Sequence, residues 1–271
     1  MSLLLIALSL LPVILLLVFI YRQDKYEKEP LGLLLLAFLA GMIAIPIDLT
    51  LVTFANAIHY SESVFYSAFF EAGFCEELCK FALLFLLIWW NRNFNEHMDG
   101  IVYAAFVGLG FACVENVMYV LQAASADLGS GLTTGIVRAL LSVPGHFLFA
   151  VLMGYFLSLA KFSDKGRFGY LLLSLFVPSL VHGLFDWLLM VTDYIHYAVA
   201  LLFLVLFIWG DIRLWKLGIR LIRRHQEQSP FKGQANSEAP QTQTPPVNPM
   251  PNPYSNEPEY KHIDWNAGNK Y

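Results

Sequence analysis

Charged residues are scarce in this chain: they make up 14% of its 271 residues, against 57% hydrophobic residues. A soluble domain usually carries about 25% charged residues, so the composition excludes an ordinary water-soluble fold and indicates no nucleic-acid partner. Apolar runs exceed the roughly 18 residues that distinguish a membrane-spanning helix from a core helix. The ten-residue alternation of outer-membrane strands is absent. The sequence therefore predicts an all-α, polytopic transmembrane helical bundle in a lipid bilayer.

Cysteine is also rare, and its three positions, Cys75, Cys79 and Cys113, all lie inside apolar segments. Such positions are typical of reduced core thiols and do not suggest a disulfide framework. No internal repeat is detectable, which disfavours a transporter built from inverted repeats. The first apolar run, residues 3–20, has no basic residue before it and no small-residue cleavage site after it. We expect a transmembrane helix there and not a removable signal peptide.

Lysine and arginine are missing from every second predicted loop. Seven spans are predicted, at about residues 3–20, 31–54, 65–90, 100–121, 135–160, 168–190 and from about 197 into a final basic run that ends at Arg224. The loops between them alternate between loops that contain Lys or Arg and loops that contain neither. By the positive-inside rule, the N-terminus faces out and the C-terminus faces the cytoplasm.

The composition changes near Glu227, where Pro, Gln, Asn, Ser and Thr replace the apolar residues. Such a sequence cannot bury a core. We therefore predict a transmembrane domain over residues 1–225 and a disordered cytoplasmic tail over residues 226–271.

The third predicted span contains four charged residues: Glu71, Glu76, Glu77 and Lys80. Ionisable groups are costly inside a bilayer and usually serve function. At helical spacing Glu76 and Lys80 share a face and can pair, whereas Glu77 is turned by about 100°. A structural ion pair would explain Glu76 and Lys80 but not Glu77, so the motif as a whole favours chemistry.

Four spans each bring one ionisable residue to a similar depth. With a rise of about 1.5 Å per residue, all four lie roughly 9 to 17 Å below the predicted outer surface: Glu76, Glu115, His146 and His182. Asp186 shares a helix face with His182, and Pro178 frees a backbone carbonyl one turn earlier. We expect one polar cavity in the outer half of the membrane. Asp48 and Glu71 have no partner that the sequence identifies, and Arg138 is expected to extend to the membrane interface.

Such a cavity has the groups that a hydrolase needs to use water directly. A carboxylate takes a proton from water, and an imidazole donates a hydrogen bond to a developing oxyanion. The sequence has no Gly-x-Ser-x-Gly motif, no pair of Gly-Asp motifs on two spans and no His-Glu-x-x-His motif. Serine, aspartyl and common zinc mechanisms are therefore not indicated. A metal held by scattered Glu and His residues, or by Cys75, Cys79 and His146, remains an alternative.

Four motifs resemble those of the PrsW-type intramembrane proteases, distant relatives of the CAAX prenyl proteases and bacteriocin-processing enzymes. Residues 76–80 resemble the Glu-Glu-x-x-Lys motif of that family, and residues 111–115 resemble its Phe-x-x-x-Glu motif. His146 with Gly154, and the stretch His182 to Asp186, resemble its two histidine motifs. Residues 24–30, which end in Glu-Pro, also fit. The motifs follow the family's order, and the tail lies outside the match.

The resemblance implies a glutamic-type endopeptidase of the bacterial inner membrane that needs no metal or cofactor. It implies a first (site-1) cut on the extracytoplasmic side of a single-pass membrane substrate such as an anti-sigma factor. The residues that it assigns to catalysis are Glu76, Glu77, Glu115, His146, His182 and Asp186. On this resemblance Glu76 and Glu77 activate the water, Glu115 and His146 complete the base side, and Lys80 supports them. His182 and Asp186 stabilise the oxyanion.

Two other classes of protein fit the same polar residues. A membrane transporter or receptor coupled to protons or ions would also place Glu, His and Asp at one depth, and it is the main alternative. Adjacent glutamates followed by a lysine favour the protease. A structural scaffold is the third interpretation.

Overall fold

The computed structural model describes residues 2–194 and 196–232, and all regular structure within those ranges is helical, with no β-strand. The seven predicted spans coincide with seven helical rods. They are α1 (Ser2–Gln23); α2 (Leu31–Ile58); α3 (Val64–Tyr66), a π-helix (Ser67–Glu76) and α4 (Glu77–Ile88); α5 (His97–Ala126); α6 (Leu128–Leu140) and α7 (Ser142–Phe162); α8 (Arg167–Met190), with a 3₁₀ turn (Val191–Tyr194); and α9 (Tyr197–Glu227).

Five stretches within the described residues are long and apolar enough to cross a membrane: Leu4–Gln23, Leu31–Ile58, His97–Ala126, Leu128–Phe162 and Arg167–Met190. The prediction of an all-α, polytopic membrane bundle is confirmed. The N-out, C-in orientation stays a prediction. Most of the predicted tail lies outside the described residues, although α9 continues into its first positions.

Helix α5 lies at the centre of the bundle. From Met98 to Ala112 every residue except Phe106 is buried, and the helix packs against α1, α2, α6 and α7. The start of α5 is fixed by Asp99, whose Oδ2 accepts hydrogen bonds from the backbone N–H groups of Asn95 (2.9 Å) and Glu96 (2.7 Å). Many residues of α5 are Gly or Ala, and small residues allow helices to approach closely within a membrane.

Helices α2 and α5 touch backbone to backbone at Gly41 and Gly110. A Cβ atom added at Gly41 would overlap the carbonyl oxygen of Val107, and one added at Gly110 would overlap that of Phe38. The two helices therefore cross at a point that only glycine allows. Further along both helices, on the side toward Ile58 and Ala126, a cavity of about 490 Å³ lies between them.

We expect the Gly41→Ala substitution to lower the stability of the protein by about 1 to 3 kcal/mol, because the added methyl group overpacks this crossing. Gly32→Ala is the matched control on the same helix, since nothing lies within 4 Å of its added Cβ atom. Alanine in place of glycine improves helix propensity, so this control should be neutral or slightly stabilising. Thermal unfolding midpoints of both variants, measured in one detergent, test this prediction. Equal midpoints for the two variants would contradict the close backbone contact between α2 and α5 at Gly41.

The segment from Asp24 to Pro30 is anchored far from the predicted polar layer. Tyr103 of α5 donates a hydrogen bond to the carboxylate of Glu29, and Asp24 Oδ2 accepts one from the Glu29 backbone N–H at 3.2 Å. Burial raises the pKa of Asp24 to about 7. Tyr103 precedes Glu115 by twelve residues on α5, or roughly 18 Å. The segment thus ties the α1–α2 connection to the other end of α5.

Candidate active site

The structure brings all seven predicted site residues into one hydrogen-bonded network. The network joins side chains from the third, fourth, fifth and sixth rods: Glu76, Glu77, Lys80, Glu115, His146, His182 and Asp186. They lie far apart in the sequence, and their contacts are made across helix interfaces. The expected convergence of four spans on one polar cluster is present in the fold.

The two adjacent glutamates lie where the π-helix passes into α4. Hydrogen bonds in a π-helix run from residue i to i+5, and such segments are rare and frequently occur at functional sites. The π-helix ends at Glu76, and Glu77 begins α4. A Cβ atom added at Gly73 would overlap the backbone of Gly183 on α8, so these two helices pack with almost no space between them. This close approach places the glutamates against His182.

Lys80 lies at the centre of the network. Its Nζ lies 3.0 Å from Glu76 Oε2, 2.9 Å from Glu77 Oε1 and 3.3 Å from His146 Nδ1. The ammonium group has three donors and no acceptor, so these contacts use all three of its protons. It also lies 3.8 Å from the centroid of the Phe111 ring. The predicted pair with Glu76 is present, and Glu77 joins it at a spacing of three residues.

The contact with Lys80 fixes the protonation of His146. Because the lysine donates, Nδ1 of His146 carries its lone pair, and the proton of the neutral ring resides on Nε2. That nitrogen lies 2.7 Å from Glu115 Oε2 and donates to it. His146 therefore connects the lysine to Glu115 as a neutral imidazole.

Arg138 belongs to the same network, although the sequence led us to expect it at the membrane interface. Its Nη2 lies 2.8 Å from Glu115 Oε2, and its Nε donates to Asn116 Oδ1 at 3.0 Å. Its guanidinium also lies 4.2 Å from the centroid of the Tyr119 ring. Only 13% of the side chain is exposed. The expectation for Arg138 was wrong, because α6 turns this residue inward toward Glu115 just before the break at Leu141.

His182 lies between two carboxylates. Its Nδ1 lies 3.0 Å from Glu77 Oε1, and its Nε2 lies 3.3 Å from Asp186 Oδ2. Carboxylate oxygens only accept hydrogen bonds, so both contacts are satisfied when both ring nitrogens carry a proton. The Phe149 ring stacks on the imidazole with centroids 4.6 Å apart. His182 thus contributes a positive charge at this position.

A cavity of about 200 Å³ lies beside the network and is large enough for water. Its polar lining consists of Glu76, Glu115, Tyr119, Arg138, Ser142, His146, His182 and Asp186. Glu77 is not part of the lining, and its side chain is 1% exposed, against 13% for Glu76. The two glutamates therefore occupy different positions: Glu76 faces the cavity, and Glu77 lies behind it.

Three lining residues have the donor types of a catalytic metal site. Glu76, His146 and His182 each offer one ligand atom within 4.8 Å of the other two. Two imidazoles and one carboxylate make up a known ligand set of catalytic zinc, so these residues fit such an ion. Within the described ranges, Cys75, Cys79 and His146 do not form a comparable group, and both thiols are free and buried.

A multi-span helical bundle with carboxylates, imidazoles and a small cavity buried among its helices fits an intramembrane hydrolase. Comparison with known proteins shows the family. A family model described as "PrsW family intramembrane metalloprotease" matches residues 29–210. No solved structure matches the chain.

Named relatives cover most of the chain. Protease PrsW of Bacillus subtilis is 38% identical over 215 residues, which cover 77% of this chain and 92% of that protein. Protease PrsW of Geobacillus kaustophilus is 37% identical over 233 residues, which cover 85% of this chain and 99% of that protein. Protease PrsW of Clostridioides difficile is 34% identical over 235 residues, which cover 84% of this chain and 94% of that protein.

The chain belongs to the PrsW protease family. The resemblance inferred from its motifs is confirmed, and the protein is a peptidase. Together with its apolar helices, the family places it in the bacterial membrane as a multi-pass protein. Membership favours the peptidase over the transporter and receptor alternatives.

Proposed function

We propose that this protease is a glutamic-type endopeptidase in which Glu76 is the general base. The observation that carries the proposal is the position of Glu76. It lines the cavity, its Oε2 is held by Lys80 at 3.0 Å, and its Oε1 has no hydrogen-bond partner among the described residues. Four carboxylates of the network face three cations, Lys80, Arg138 and His182, so one negative charge is left over. Glu76 and Asp186 each have one close donor, Lys80 at 3.0 Å and His182 at 3.3 Å, and we assign that charge to Glu76, which shares its lysine with Glu77.

In the proposed reaction, Glu76 takes a proton from a water molecule in the cavity. The water oxygen then bonds to the scissile carbonyl carbon, and the carbonyl oxygen becomes an oxyanion. His182, held as a cation by Glu77 and Asp186, lies on the cavity wall and stabilises this charge. Glu76 returns its proton to the amide nitrogen as the carbon–nitrogen bond breaks.

The remaining network residues position these groups. Glu115 accepts a hydrogen bond from His146 and forms an ion pair with Arg138, so it is held from two sides. His146 in turn accepts from Lys80, which fixes the lysine against the glutamates. Rigid support of this kind keeps a catalytic group in its productive geometry.

The proposed substrate is a single-pass membrane protein. A protease embedded in the bilayer acts on membrane proteins, and the cavity lies among the membrane helices. An anti-sigma factor, cut first on the extracytoplasmic side, is the specific proposal. It rests on the family resemblance and on the predicted orientation, which places the cavity in the outer half of the membrane.

A metallopeptidase is the second candidate, because Glu76, His146 and His182 fit an ion and the family model is described as a metalloprotease. A metal bound there would supply a water molecule that ionises near neutral pH. In that case Lys80 would hold the carboxylate of Glu76 in place, and Glu115 would orient the ring of His146 through Nε2.

Chelation separates the two candidates. We expect the purified protein to keep its cleavage activity after dialysis against EDTA and 1,10-phenanthroline, with elemental analysis showing far less than one metal per chain. The reason is that the Lys80 ammonium already occupies the position next to Glu76 and His146, two of the three residues that could bind a metal ion. Loss of activity on chelation, restored by zinc together with one bound ion per chain, would instead establish the metallopeptidase.

A further inference from the structure

A second cavity lies next to the active-site cavity. It lies between α2 and α5 and has a volume of about 490 Å³. The two cavities share Glu76, Glu115 and Tyr119 in their linings. We call this second cavity the α2/α5 cleft. A molecule bound in it would lie against the carboxylate that we propose as the base.

The shape of the cleft follows from the helix crossing at Gly41 and Gly110. Past that crossing, α2 contributes one wall and α5 the other, with the π-helix between them. The cleft is lined by Ile45, Asp48, Leu49 and Val52 from α2, by Phe111, Glu115, Met118, Tyr119 and Gln122 from α5, by Ser67, Glu71, Ala72 and Glu76 from the π-helix, and by Met190. Residues four and five apart line one side of the π-helix, as expected for its wider turn.

The cleft is acidic and holds an unpartnered carboxylate. Within the part of the chain that the structure describes, its lining contains Asp48, Glu71, Glu76 and Glu115, and no lysine or arginine. Glu71 Oε1 accepts from Asn56 at 2.6 Å. Asp48 is 7% exposed, and its Oδ1 is buried without a hydrogen-bond partner among the described residues. Leaving a buried carboxylate oxygen unpaired costs free energy, so a ligand that brings a hydrogen-bond donor to Asp48 would be stabilised in the cleft.

An unwound peptide supplies such donors. A helical membrane segment hides its backbone N–H and C=O groups, so its peptide bonds cannot be attacked until it is unwound. Inside a bilayer each freed N–H group then needs an acceptor. The cleft offers apolar walls for the side chains, with Leu49 and Met118 on opposite helices, and offers Asp48 as an acceptor.

We propose that the α2/α5 cleft is the substrate-binding groove, that it takes an unwound stretch of the substrate's membrane segment, and that Asp48 accepts a backbone N–H group from it. The inference rests on the proposed endopeptidase function. Another groove, of about 420 Å³, lies between α8 and α9, but it meets the active-site cavity only at Phe185 and contains none of the network carboxylates. Of these two cavities, the α2/α5 cleft is the one with Glu76 in its lining.

Site-specific photo-crosslinking tests the groove. The crosslinking residue benzoylphenylalanine is placed at Leu49 or Met118 of the cleft in the Glu76→Gln protein, with a tagged single-pass anti-sigma factor as the probe. Controls of matched exposure are Leu36, on α2 outside the cleft (53% against 52% for Leu49), and Leu184, in the α8/α9 groove (47% against 46% for Met118). We expect crosslinks from Leu49 and Met118 only.

Other outcomes would contradict the assignment of the α2/α5 cleft as the substrate-binding groove. Crosslinks from Leu184 alone would place the substrate between α8 and α9, and equal crosslinks from all four positions would indicate random contact in the bilayer. A probe that the native protein cleaves but that crosslinks from neither cleft position would reject the groove and leave the proposed function standing. A probe that crosslinks from the cleft but is never cleaved by the native protein would reject the proposed function alone.

The role of Asp48 has its own test. Asp48→Leu removes the acceptor. We expect KM to rise about tenfold, because one charge-assisted hydrogen bond to the substrate is lost, while kcat changes little. Asp48→Asn keeps a carbonyl acceptor and should restore much of the affinity. A fall in kcat at constant KM would place Asp48 in catalysis, and unchanged kinetics in both variants would remove it from substrate binding.

Discussion

Replacement of Glu76 by Gln is expected to lower kcat by about a hundredfold to ten-thousandfold, the range that a general base contributes. Glutamine has the same shape and can still accept from Lys80, but it cannot take a proton from water. The fold should therefore survive while the reaction stops. Cleavage of a reconstituted single-pass substrate under single-turnover conditions measures the loss, and an unfolding curve in detergent verifies the fold.

Glu62→Gln is the control, because Glu62 is an exposed glutamate of the loop before α3 and lines neither the active-site cavity nor the α2/α5 cleft. We expect this variant to retain kcat. Glu77→Gln should behave differently again, because Glu77 is buried between Lys80 and His182. It should lose stability as well as activity. Full activity in the Glu76→Gln protein would remove Glu76 as the base.

Replacement of Lys80 by Met is expected to cause the largest loss of stability, about 3 to 5 kcal/mol, the range for breaking a buried ion pair by removing one partner. The side chain of Lys80 is 3% exposed, and its ammonium is shared by Glu76, Glu77 and His146. Methionine fills a similar volume but leaves two glutamates without their common cation. Denaturation in mixed detergent micelles measures the difference from the native protein.

A second substitution separates charge from packing. If the uncompensated carboxylates cause the loss, Lys80→Met combined with Glu77→Gln should be more stable than the sum of the two single variants predicts. Lys161→Met is the control for removing a lysine. Lys161 Nζ donates to the Trp89 backbone oxygen at 2.5 Å and has no carboxylate partner among the described residues, so its loss should cost much less. A Lys80→Met protein as stable as the native one would contradict the central position of the lysine.

The common level of the polar residues along their helices could be predicted from the sequence. Span ends follow from runs of apolar residues, and the helical rise converts position in a span into depth. That conversion placed Glu115, His146 and His182 in one layer, and the structure connects all three through the network. The helix faces of these three residues follow from the tendency of charged side chains in a membrane to turn toward the bundle interior.

The local geometry could not be predicted in the same way. Nothing in the residues from Ser67 to Glu76 distinguishes a π-helix from an α-helix, and the close packing of this segment against α8 at Gly73 and Gly183 joins residues far apart in the sequence. The pairing of Arg138 with Glu115 was missed, although one signal was available. An arginine and an unpaired glutamate in neighbouring spans are each costly alone, and pairing relieves both.

The position of the cut inside the substrate is the most direct measurement. The purified protein, reconstituted in liposomes with a single-pass membrane protein, yields fragments whose new ends mass spectrometry can locate. Hydrolysis at the network formed by Glu76, His146 and His182 predicts a cut within the membrane segment, in its extracytoplasmic half, and no cut with the Glu76→Gln protein. Cleavage only in a soluble domain of the substrate, or the same fragments from both proteins, would contradict a peptidase whose active site is this buried cluster.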